Sequence, residues 1–214
     1  MTEILLIRHG ETDWNAERRL QGQLDIALNA VGRRQAGRLA AALRHAEPHV
    51  VISSDLQRAR DTAQALAQAC SVELMIDAAC RERCFGAFEG LRYDEIGAHF
   101  PLAYAAWQAR DIDARYPQGT QVAETLREFS QRAIASVLTH AQRHAGKKIA
   151  IVTHGGVLDC IYRFSTGMAL EKKRDVDIGN ASVNRFRYEQ GVLELLQWGD
   201  VSHLQAPALN ELDL

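Results

Sequence analysis

Short apolar runs alternate along this chain with longer stretches that mix apolar and polar residues. Runs of apolar, partly β-branched residues predict buried strands. They lie at residues 4–7, 50–53, 72–76 and 149–153, and the third of them is the weakest. Because strands that alternate with helices form parallel sheets, the pattern predicts an α/β fold in which the strands' carboxyl ends lie along one edge.

The stretches between the strands predict helices, most of them with the spacing of an amphipathic helix. The first follows Asn29, the second begins near residue 56, and the others cover residues 93–100, 125–145 and 157–166. Asn29 is the expected N-cap of the first helix, and Pro48 is its expected end. Ser54 or Asp55 is expected to cap the second. The expected buried faces are Val31, Ala36, Leu39 and Leu43 in the first helix; Leu56, Ala59, Ala63, Leu66 and Ala67 in the second; and Leu126, Phe129, Ala133, Val137 and Ala141 in the helix at 125–145.

The last part of the chain predicts antiparallel strands. Residues 183–188 and 192–198 are separated by Glu-Gln-Gly, which is typical of a hairpin. Residues 101–119 form a mixed segment. With 214 residues, 47% of them apolar, the chain can bury a full core. We expect a single domain over residues 1–214, with an irregular tail at about 200–214.

The balance of charge excludes a general attraction to polyanions. The chain has 25 basic and 27 acidic residues and a formal charge of −2. Any anion binding must therefore be local, and neither nucleic acid nor an anionic membrane is an expected partner. The sequence enters the first strand directly and has no run long enough to span a bilayer, which favours a cytoplasmic protein. Four cysteines are then expected to be free thiols: Cys70, Cys80, Cys84 and Cys160.

Titratable residues directly follow two of the predicted strands. Arg8-His9-Gly10 comes after residues 4–7, and His154-Gly155-Gly156 comes after residues 149–153. Ligands of α/β sheets bind at the carboxyl ends of the strands. Because these ends share one edge, His9 and His154 are expected to meet. The alternative is an ordinary polar loop after each strand.

Two further residues belong near the same edge. Arg58 lies in the first turn of the helix that follows residues 50–53, and a helix start with an arginine is a natural anion site. The alternative for Arg58 is a solvated surface side chain, which is our interpretation of Arg60. Glu82 lies in a loop between two arginines, where a plain surface ion pair is the alternative.

Together these residues suit phosphoryl transfer without a metal. The transition state of phosphoryl transfer from a monoester spreads negative charge over the equatorial oxygens. Fixed hydrogen-bond donors that stabilise this charge therefore matter more than a strong nucleophile. The candidate donors are Arg8, Arg58, Asn15 and His154. Nearby cations would keep His9 neutral and nucleophilic. Glu82 can protonate the leaving alcohol and then deprotonate the attacking water.

His140 and His144 also have the four-residue spacing of metal ligands on a helix. A zinc site needs at least three protein ligands. With no third ligand nearby in the sequence and a solvent-facing position expected, we predict no metal.

The motifs resemble those of a known family, the histidine phosphatase superfamily, also called the phosphoglycerate mutase-like family. Its Arg-His-Gly-Glu-Thr signature with a following Trp-Asn is intact at residues 8–15. Similar segments are residues 21–22, 53–59, 81–86, 153–156 and 201–204. The resemblance covers nearly the whole chain. The tail of the chain, at residues 201–204, looks like the end of the short bacterial members of the family.

The resemblance implies a three-layer sandwich, with a mostly parallel central sheet and helices on both faces. It also implies that His9 is the phosphorylated nucleophile and that Glu82 is the proton donor and acceptor. The implied phosphate pocket is Arg8, Arg58, His154 and Asn15, and the implied further substrate-binding residues are Gln21, Gly22 and Gly155.

Two departures from the family bear on the activity. Many relatives carry Gly-Gly-Glu-Ser where this chain has Val-Ala-Glu-Thr at residues 122–125, so the backbone freedom of paired glycines is lost there. The family's mutases resemble one another in a Trp-Arg-Arg-Ser segment, whereas here Trp107 is followed by Gln-Ala-Arg. Without a second anion clamp, water should compete successfully for the phosphoryl group.

The leading hypothesis is thus a phosphomonoesterase that acts through phosphohistidine on small phosphorylated metabolites, without metal or cofactor. The alternative is a phosphoglycerate mutase that depends on a 2,3-bisphosphoglycerate primer. A third hypothesis, from another class, is a non-catalytic module that binds a phosphorylated ligand. The candidate pocket walls Phe85, Tyr104 and Trp107 suggest a partly apolar substrate. The oligomeric state is open, a homodimer included.

Overall fold

The computed structural model describes residues 1–204 and 208–210. Within them, the strands are β1 (Thr2–Arg8), β2 (Val50–Ser53), β3 (Leu74–Ile76), β4 (Lys148–Thr153), β5 (Val183–Glu189) and β6 (Val192–Asp200). They form one sheet in the order β3-β2-β4-β1-β5-β6. β1 to β4 are parallel, whereas β5 and β6 pair antiparallel. The prediction of a mostly parallel sheet is confirmed.

The helices connect and cover these strands. They are α1 (Asp13–Ala16), α2 (Ala30–Leu43), α3 (Gln57–Cys70), α4 (Tyr93–His99), α5 (Pro101–Gln108), α6 (Leu126–Arg143) and α7 (Gly155–Thr166). Short 3-10 turns lie at Ala78–Cys80 and Gly86–Phe88. In the part of the chain that the structure describes, no helix combines the length and the apolar character needed to cross a membrane.

The side chains of β1 alternate between two hydrophobic cores because successive residues of a strand point to opposite faces. Ile4 and Leu6 pack into the core that contains residues of α6 and α7. Leu5 and Ile7 pack into the core that contains residues of α2 and α3. The predicted three-layer sandwich, with helices on both faces of the sheet, is therefore confirmed.

Helix α2 begins where the sequence predicts and ends earlier. Asn29 is its N-cap, and the side-chain oxygen of Asn29 accepts a first-turn backbone N–H at 2.8 Å. The predicted end at Pro48 is wrong because α2 stops at Leu43, and the chain then turns so that the His49 N–H donates to a β4 carbonyl at 2.7 Å. Val31 is predicted in the core but is 37% exposed, because it lies off the buried stripe of α2, which is Gly32, Gln35, Ala36, Leu39, Ala40 and Leu43.

Helix α3 buries its predicted face but has a different N-cap. The cap is Leu56, so the prediction of Ser54 or Asp55 is wrong. The Ser54 hydroxyl only accepts the Leu56 N–H at 3.3 Å. The Asp55 carboxylate instead binds the Arg81 guanidinium at 2.6 Å, which keeps it from the helix N–H groups. The predicted buried face is confirmed at Leu56, Ala59, Ala63, Leu66 and Ala67.

The mixed segment predicted at residues 101–119 contains α5 and part of a third hydrophobic cluster. Aromatic rings dominate this cluster. The Phe88 and Tyr116 rings stack with centroids 4.5 Å apart, and the Trp107 ring lies 5.6 Å from that of Phe88. The segment is thereby anchored to the loop that follows Glu82.

β5 and β6 form the predicted hairpin. Glu189 pairs with Val192, which leaves Gln190 and Gly191 as the turn. Both turn residues have left-handed φ values, +49° and +85°. Such values are typical of the two-residue turns whose twist matches that of the flanking strands.

The described part of the tail contacts the body of the protein. Asp200 still belongs to β6, and Asn210 forms an isolated antiparallel bridge with Gly179. The predicted irregular tail also includes residues 205–207 and 211–214, which lie outside the described residues.

Candidate active site

The two histidines meet at the carboxyl edge of the sheet, as predicted. β1 and β4 are parallel neighbours, with Arg8 opposite Thr153. His9 and His154 therefore leave the sheet side by side. The backbone N–H of His9 donates to the Thr153 carbonyl at 2.9 Å, and the centroids of the His9 and His154 rings are 5.1 Å apart.

The ring of His9 is held in one orientation and kept neutral. Its Nδ1 lies 2.7 Å from the Gly10 carbonyl oxygen. Because a carbonyl only accepts, we assign the proton to Nδ1 and the lone pair to Nε2. Burial, followed by the charges of Arg58 and Arg8, holds the pKa of His9 well below its usual value of 6.5. A neutral, oriented imidazole is suited to nucleophilic attack.

His154 is fully buried beside the ring of His9. It is the N-cap of α7, so the positive end of that helix lies at the site. Neither ring nitrogen has a hydrogen-bond partner among the residues that the structure describes. Burial is the main reason that the pKa of His154 is well below 6.5, and the charge of Arg58 adds to it.

Two buried guanidinium groups give the site its positive charge. Arg8 and Arg58 are each 1% exposed. Arg8 donates to the Ile178 carbonyl at 2.7 Å, and Arg58 donates to the carbonyls of Gly22 at 2.7 Å and Leu24 at 2.8 Å. These contacts fix the plane of each guanidinium without cancelling its charge. Such a pair of rigid forks is suited to bind a phosphate dianion.

The amide side chains near the site are fixed through Thr12. Its backbone N–H donates to Asn15 Oδ1 at 3.1 Å, and its hydroxyl donates to Gln21 Oε1 at 2.9 Å. Gly22 follows with a left-handed φ of +53°, and a Cβ there would lie 2.1 Å from Glu89 Oε1. Only glycine fits this turn, which carries the carbonyl that orients Arg58.

Glu82 is held by two backbone N–H groups. Its Oε1 accepts from the Arg83 N–H at 2.8 Å, and its Oε2 accepts from the Gly156 N–H at 2.9 Å. A Cβ at position 156 would lie 2.2 Å from Glu82 Oε1. The glycine at the start of α7 therefore allows the carboxyl group to approach the helix.

One cavity collects most of the predicted site residues. Those that line it are Arg8, His9, Asn15, Gln21, Gly22, Arg58 and Glu82. His154 and Gly155 are not part of its lining, although the His154 ring contacts that of His9. The lining residues not predicted for this role are Trp14, Arg18, Arg19, Leu20, Tyr93 and Asn210.

Sequence reasoning missed Asn180. Its side chain is fully buried, and its Nδ2 donates to the His9 carbonyl at 3.1 Å. Ala181 next to it has a left-handed φ of +57°, and its N–H donates to the same carbonyl at 3.1 Å. The available signal was a polar Asn-Ala-Ser run just before a predicted strand. Without the β1–β5 pairing, nothing in the sequence connected that run to His9.

A second cavity meets the first at Glu82. Phe85 and Trp107 line it as predicted pocket walls, whereas Tyr104 lines neither cavity and instead packs edge-on against Trp107 at 6.2 Å. Three arginines also line this cavity: Arg83, Arg110 and Arg174. It therefore combines aromatic surface with charged groups of both signs, because Asp111 and Asp159 also line it and Arg110 Nη2 lies 3.7 Å from Asp159 Oδ2.

The structure accounts for the departure at residues 122–125. Neither Val122 nor Ala123 has a left-handed φ, so this segment needs no glycine. Ala123 is 1% exposed and packs in the aromatic cluster. At the other departure, Arg110 is 8% exposed and donates to the Leu170 carbonyl at 3.0 Å.

The prediction that His140 faces solvent is wrong. His140 is 3% exposed, and its Nε2 lies 2.7 Å from Asp77 Oδ2. With Cys80, these residues place three potential ligand atoms within 4.8 Å of one another. Metal-bound histidines usually have their second nitrogen hydrogen-bonded, whereas His140 Nδ1 has no partner among the described residues. We interpret the cluster as a hydrogen-bonded link between α6 and the turn before Glu82.

Comparison with known proteins identifies the family. The family model of the histidine phosphatase superfamily (branch 1) matches residues 4–201. "Phosphoglycerate mutase-like protein 4" of Arabidopsis thaliana is 41% identical over 206 residues, which are 95% of this chain and 87% of that protein. "Probable phosphoglycerate mutase GpmB" of Klebsiella pneumoniae is 36% identical over an alignment of 221 positions, which covers 99% of each chain.

Solved structures show the same fold. Bacillus stearothermophilus YhfR has a TM-score of 0.86 and 34% identity, covering 95% of this chain and 99% of that one. Phosphoserine phosphatase from Entamoeba histolytica, in complex with 3-phosphoglyceric acid, has a TM-score of 0.82 and 26% identity, covering 95% and 99%. With the intact motif at residues 8–15, these matches show that the chain belongs to branch 1 of the histidine phosphatase superfamily, a family of phosphatases and phosphoglycerate mutase-like enzymes.

Proposed function

We propose that this protein is a metal-independent phosphomonoester hydrolase that works through a phosphohistidine intermediate. The observation that supports the proposal is the first cavity, where neutral His9, two buried arginines and Glu82 share one wall. Among structural relatives, the Entamoeba protein is named a phosphatase. Small phosphorylated metabolites are the proposed substrates.

In the first step, His9 Nε2 attacks phosphorus. The N–P bond forms while the bond from phosphorus to the leaving oxygen breaks, and protonated Glu82 gives its proton to that oxygen. Arg8, Arg58 and Asn15, which line the cavity, hold the equatorial oxygens as their charge develops.

In the second step, water attacks the phosphohistidine. Glu82, now a carboxylate, takes a proton from the water, a new O–P bond forms and the N–P bond breaks. Inorganic phosphate leaves, and His9 and the protonated Glu82 are restored. Every proton is thus supplied and recovered by one carboxyl group, and in the proposed cycle Arg8 and Arg58 neutralise the phosphoryl charge without a metal.

We propose that the second cavity holds the alcohol part of the substrate. Phe85, Trp107 and Tyr116 offer ring surfaces. Arg83 and Arg174 offer cationic donors, whereas Arg110 is paired with Asp159 at 3.7 Å. We propose that the alcohol part carries an apolar or planar portion and an acidic group. The same arginines favour a second candidate, phosphoglycerate mutation, in keeping with the name of the Klebsiella relative.

The deciding experiment measures phosphate release in excess EDTA. The panel is 4-nitrophenyl phosphate, glycerol phosphate, 3-phosphoglycerate and phosphoserine, with and without 2,3-bisphosphoglycerate. Release that persists in EDTA supports a metal-independent hydrolase. Primer-dependent isomerisation of 3-phosphoglycerate that is faster than phosphate release would make the protein a mutase. Silence in both assays would leave the non-catalytic binding module.

The pH dependence follows from the environment of His9. Protonation of His9 would remove the nucleophile, and burial beside Arg58 and Arg8 holds its pKa well below 6.5. As pH falls, the neutral form therefore persists to lower values than for an exposed histidine. We expect a bell-shaped profile of kcat/KM that favours mildly acidic to neutral pH, because Glu82 must be protonated to donate. A profile for glycerol phosphate, whose leaving group needs the proton, that is flat between pH 4 and pH 9 would contradict these roles.

Replacing Gly156 with alanine is expected to displace Glu82. The added Cβ would lie 2.2 Å from Glu82 Oε1, and the carboxyl group must give way. We expect the rate with glycerol phosphate to fall at least ~10-fold, as expected for a misplaced general acid. The matched control is Gly37→Ala, because no atom lies within 4 Å of a Cβ at position 37. Unchanged kinetics of Gly156→Ala would show that this close approach is unimportant.

A further inference from the structure

The loop that carries Glu82 is held by side chains rather than by a sheet or helix ladder. This Glu82 loop, defined here as residues 79–84, presents four successive carbonyl groups that each accept a side-chain hydrogen bond. The Cys80 carbonyl accepts from the Thr153 hydroxyl at 2.7 Å, and the Glu82 carbonyl accepts from Gln23 Nε2 at 3.0 Å. The others involve a single residue of α6.

Arg132 contacts three of these four carbonyls. Its Nη1 donates to the carbonyls of Ala79 and Arg81, both at 2.9 Å, and its Nη2 donates to that of Glu82 at 3.1 Å. The guanidinium also lies over the Phe129 ring, 5.2 Å from the centroid. One side chain thus spans the loop from its start to the main chain of Glu82.

Glu124 orients Arg132 and also binds the main chain of Cys84, at the C-terminal end of the loop. Its two carboxylate oxygens accept from Arg132 Nε and Nη2, both at 2.7 Å, which is a bidentate pair. Glu124 Oε2 also accepts from the Cys84 N–H at 2.9 Å, and the Glu124 N–H donates to the Cys84 carbonyl at 2.9 Å. The pair is largely buried, with side-chain exposures of 25% and 21%.

From this geometry we infer that Arg132, oriented by Glu124, is a positioning residue for the general acid Glu82. Arg132 lines neither cavity, so it acts through the main chain of the loop and not on the substrate. Glu82 keeps its place between the N–H groups of Arg83 and Gly156 only while the loop holds its shape. The inference rests on the proposed function, in which Glu82 protonates the leaving oxygen.

The test uses two leaving groups with different needs for a proton. An alkyl phosphate such as glycerol phosphate requires general-acid help, whereas 4-nitrophenolate leaves without it. We expect Arg132→Met to lose at least ~10-fold more kcat/KM, which reports the first step alone, with glycerol phosphate than with 4-nitrophenyl phosphate, since general-acid catalysis contributes about 10²- to 10⁴-fold. Arg132→Lys, which retains donors for the carbonyls, should recover part of that difference.

Arg127→Met is the matched control. Arg127 lies on the same helix and pairs with Asp113 at 2.7 Å, but both side chains are exposed. This variant should keep wild-type rates with both substrates. Competitive inhibition by inorganic phosphate should also be unchanged in Arg132→Met, because the phosphate donors are elsewhere.

The outcomes separate this inference from the proposed function. Equal loss with both substrates, or no loss, in Arg132→Met would overturn the positioning role. If Glu82→Gln itself fails to discriminate between the leaving groups, Glu82 is not the acid and the proposed mechanism falls with the inference. If Arg132→Met does not fold, the same comparison on Arg132→Lys and Glu124→Gln decides: a selective loss with glycerol phosphate supports the positioning role, and its absence overturns it.

Discussion

Replacing His9 with alanine is expected to reduce phosphate release from every substrate by at least ~10⁴-fold, the scale seen when a covalent nucleophile is removed. The substitution removes the atom that accepts the phosphoryl group, and water is poorly placed to replace it. The ring of His154, whose centroid lies 5.1 Å from that of His9, is fully buried and does not line the cavity, so it cannot substitute. The measurement is steady-state phosphate release from 4-nitrophenyl phosphate and glycerol phosphate.

The covalent intermediate gives a direct second readout. After a brief reaction with a ³²P-labelled substrate, the wild-type protein should carry acid-labile, base-stable label on His9. His9→Ala should carry none. His45→Ala is the matched control, because His45 is an exposed histidine that lines neither cavity. Label that persists in His9→Ala, or release close to the wild-type rate, would contradict the proposed nucleophile.

Much of the fold was predictable because its signals are local. The strand at residues 4–7 and the strand at residues 149–153 are continuous apolar runs, and both lie in the sheet centre. Their parallel pairing follows from the helices between them. The meeting of His9 and His154 could therefore be predicted without any knowledge of the loops.

The rest depends on contacts between distant segments. Helix α2 ends at Leu43, before Pro48, and the chain then leads into β2, which pairs with β4. His140 is buried because the turn at residues 78–80 packs on α6 and brings Asp77 to it. Asn180 reaches His9 through the β1–β5 pairing. None of these long-range contacts leaves a periodic trace in the sequence.

The contacts of Arg132 with the Glu82 loop could not be predicted from the sequence for the same reason. Arg132 occupies an ordinary position on the longest amphipathic helix, where sequence favours a solvated arginine. Its three loop carbonyls are about 50 residues away in the sequence. Sequence motifs identify the groups that do chemistry, whereas the groups that hold them are dispersed and chemically unremarkable.

Replacing Glu82 with glutamine is expected to separate substrates by their leaving groups. Glutamine cannot supply the proton, so alkyl esters should slow by about 10²- to 10⁴-fold, the usual contribution of general-acid catalysis. The first step with 4-nitrophenyl phosphate needs no proton, and its burst of 4-nitrophenol should survive. Turnover should then be limited by water attack on phosphohistidine, for which glutamine is no base. Stopped-flow measurement of the burst and of the steady state checks both halves.

Glu89→Gln controls for the loss of a carboxylate that is bound to backbone. Like Glu82, Glu89 accepts two backbone N–H groups, those of Gln23 at 3.0 Å and Phe85 at 2.9 Å, but it lines neither cavity. If both variants slow the first step equally with the two substrates, the effect is one of loop structure, and Glu82 is not the acid. If only Glu82→Gln discriminates by leaving group in the first step and also slows the steady state after the burst, the same carboxyl group serves both half-reactions, because Glu89→Gln removes a carboxylate with similar backbone contacts.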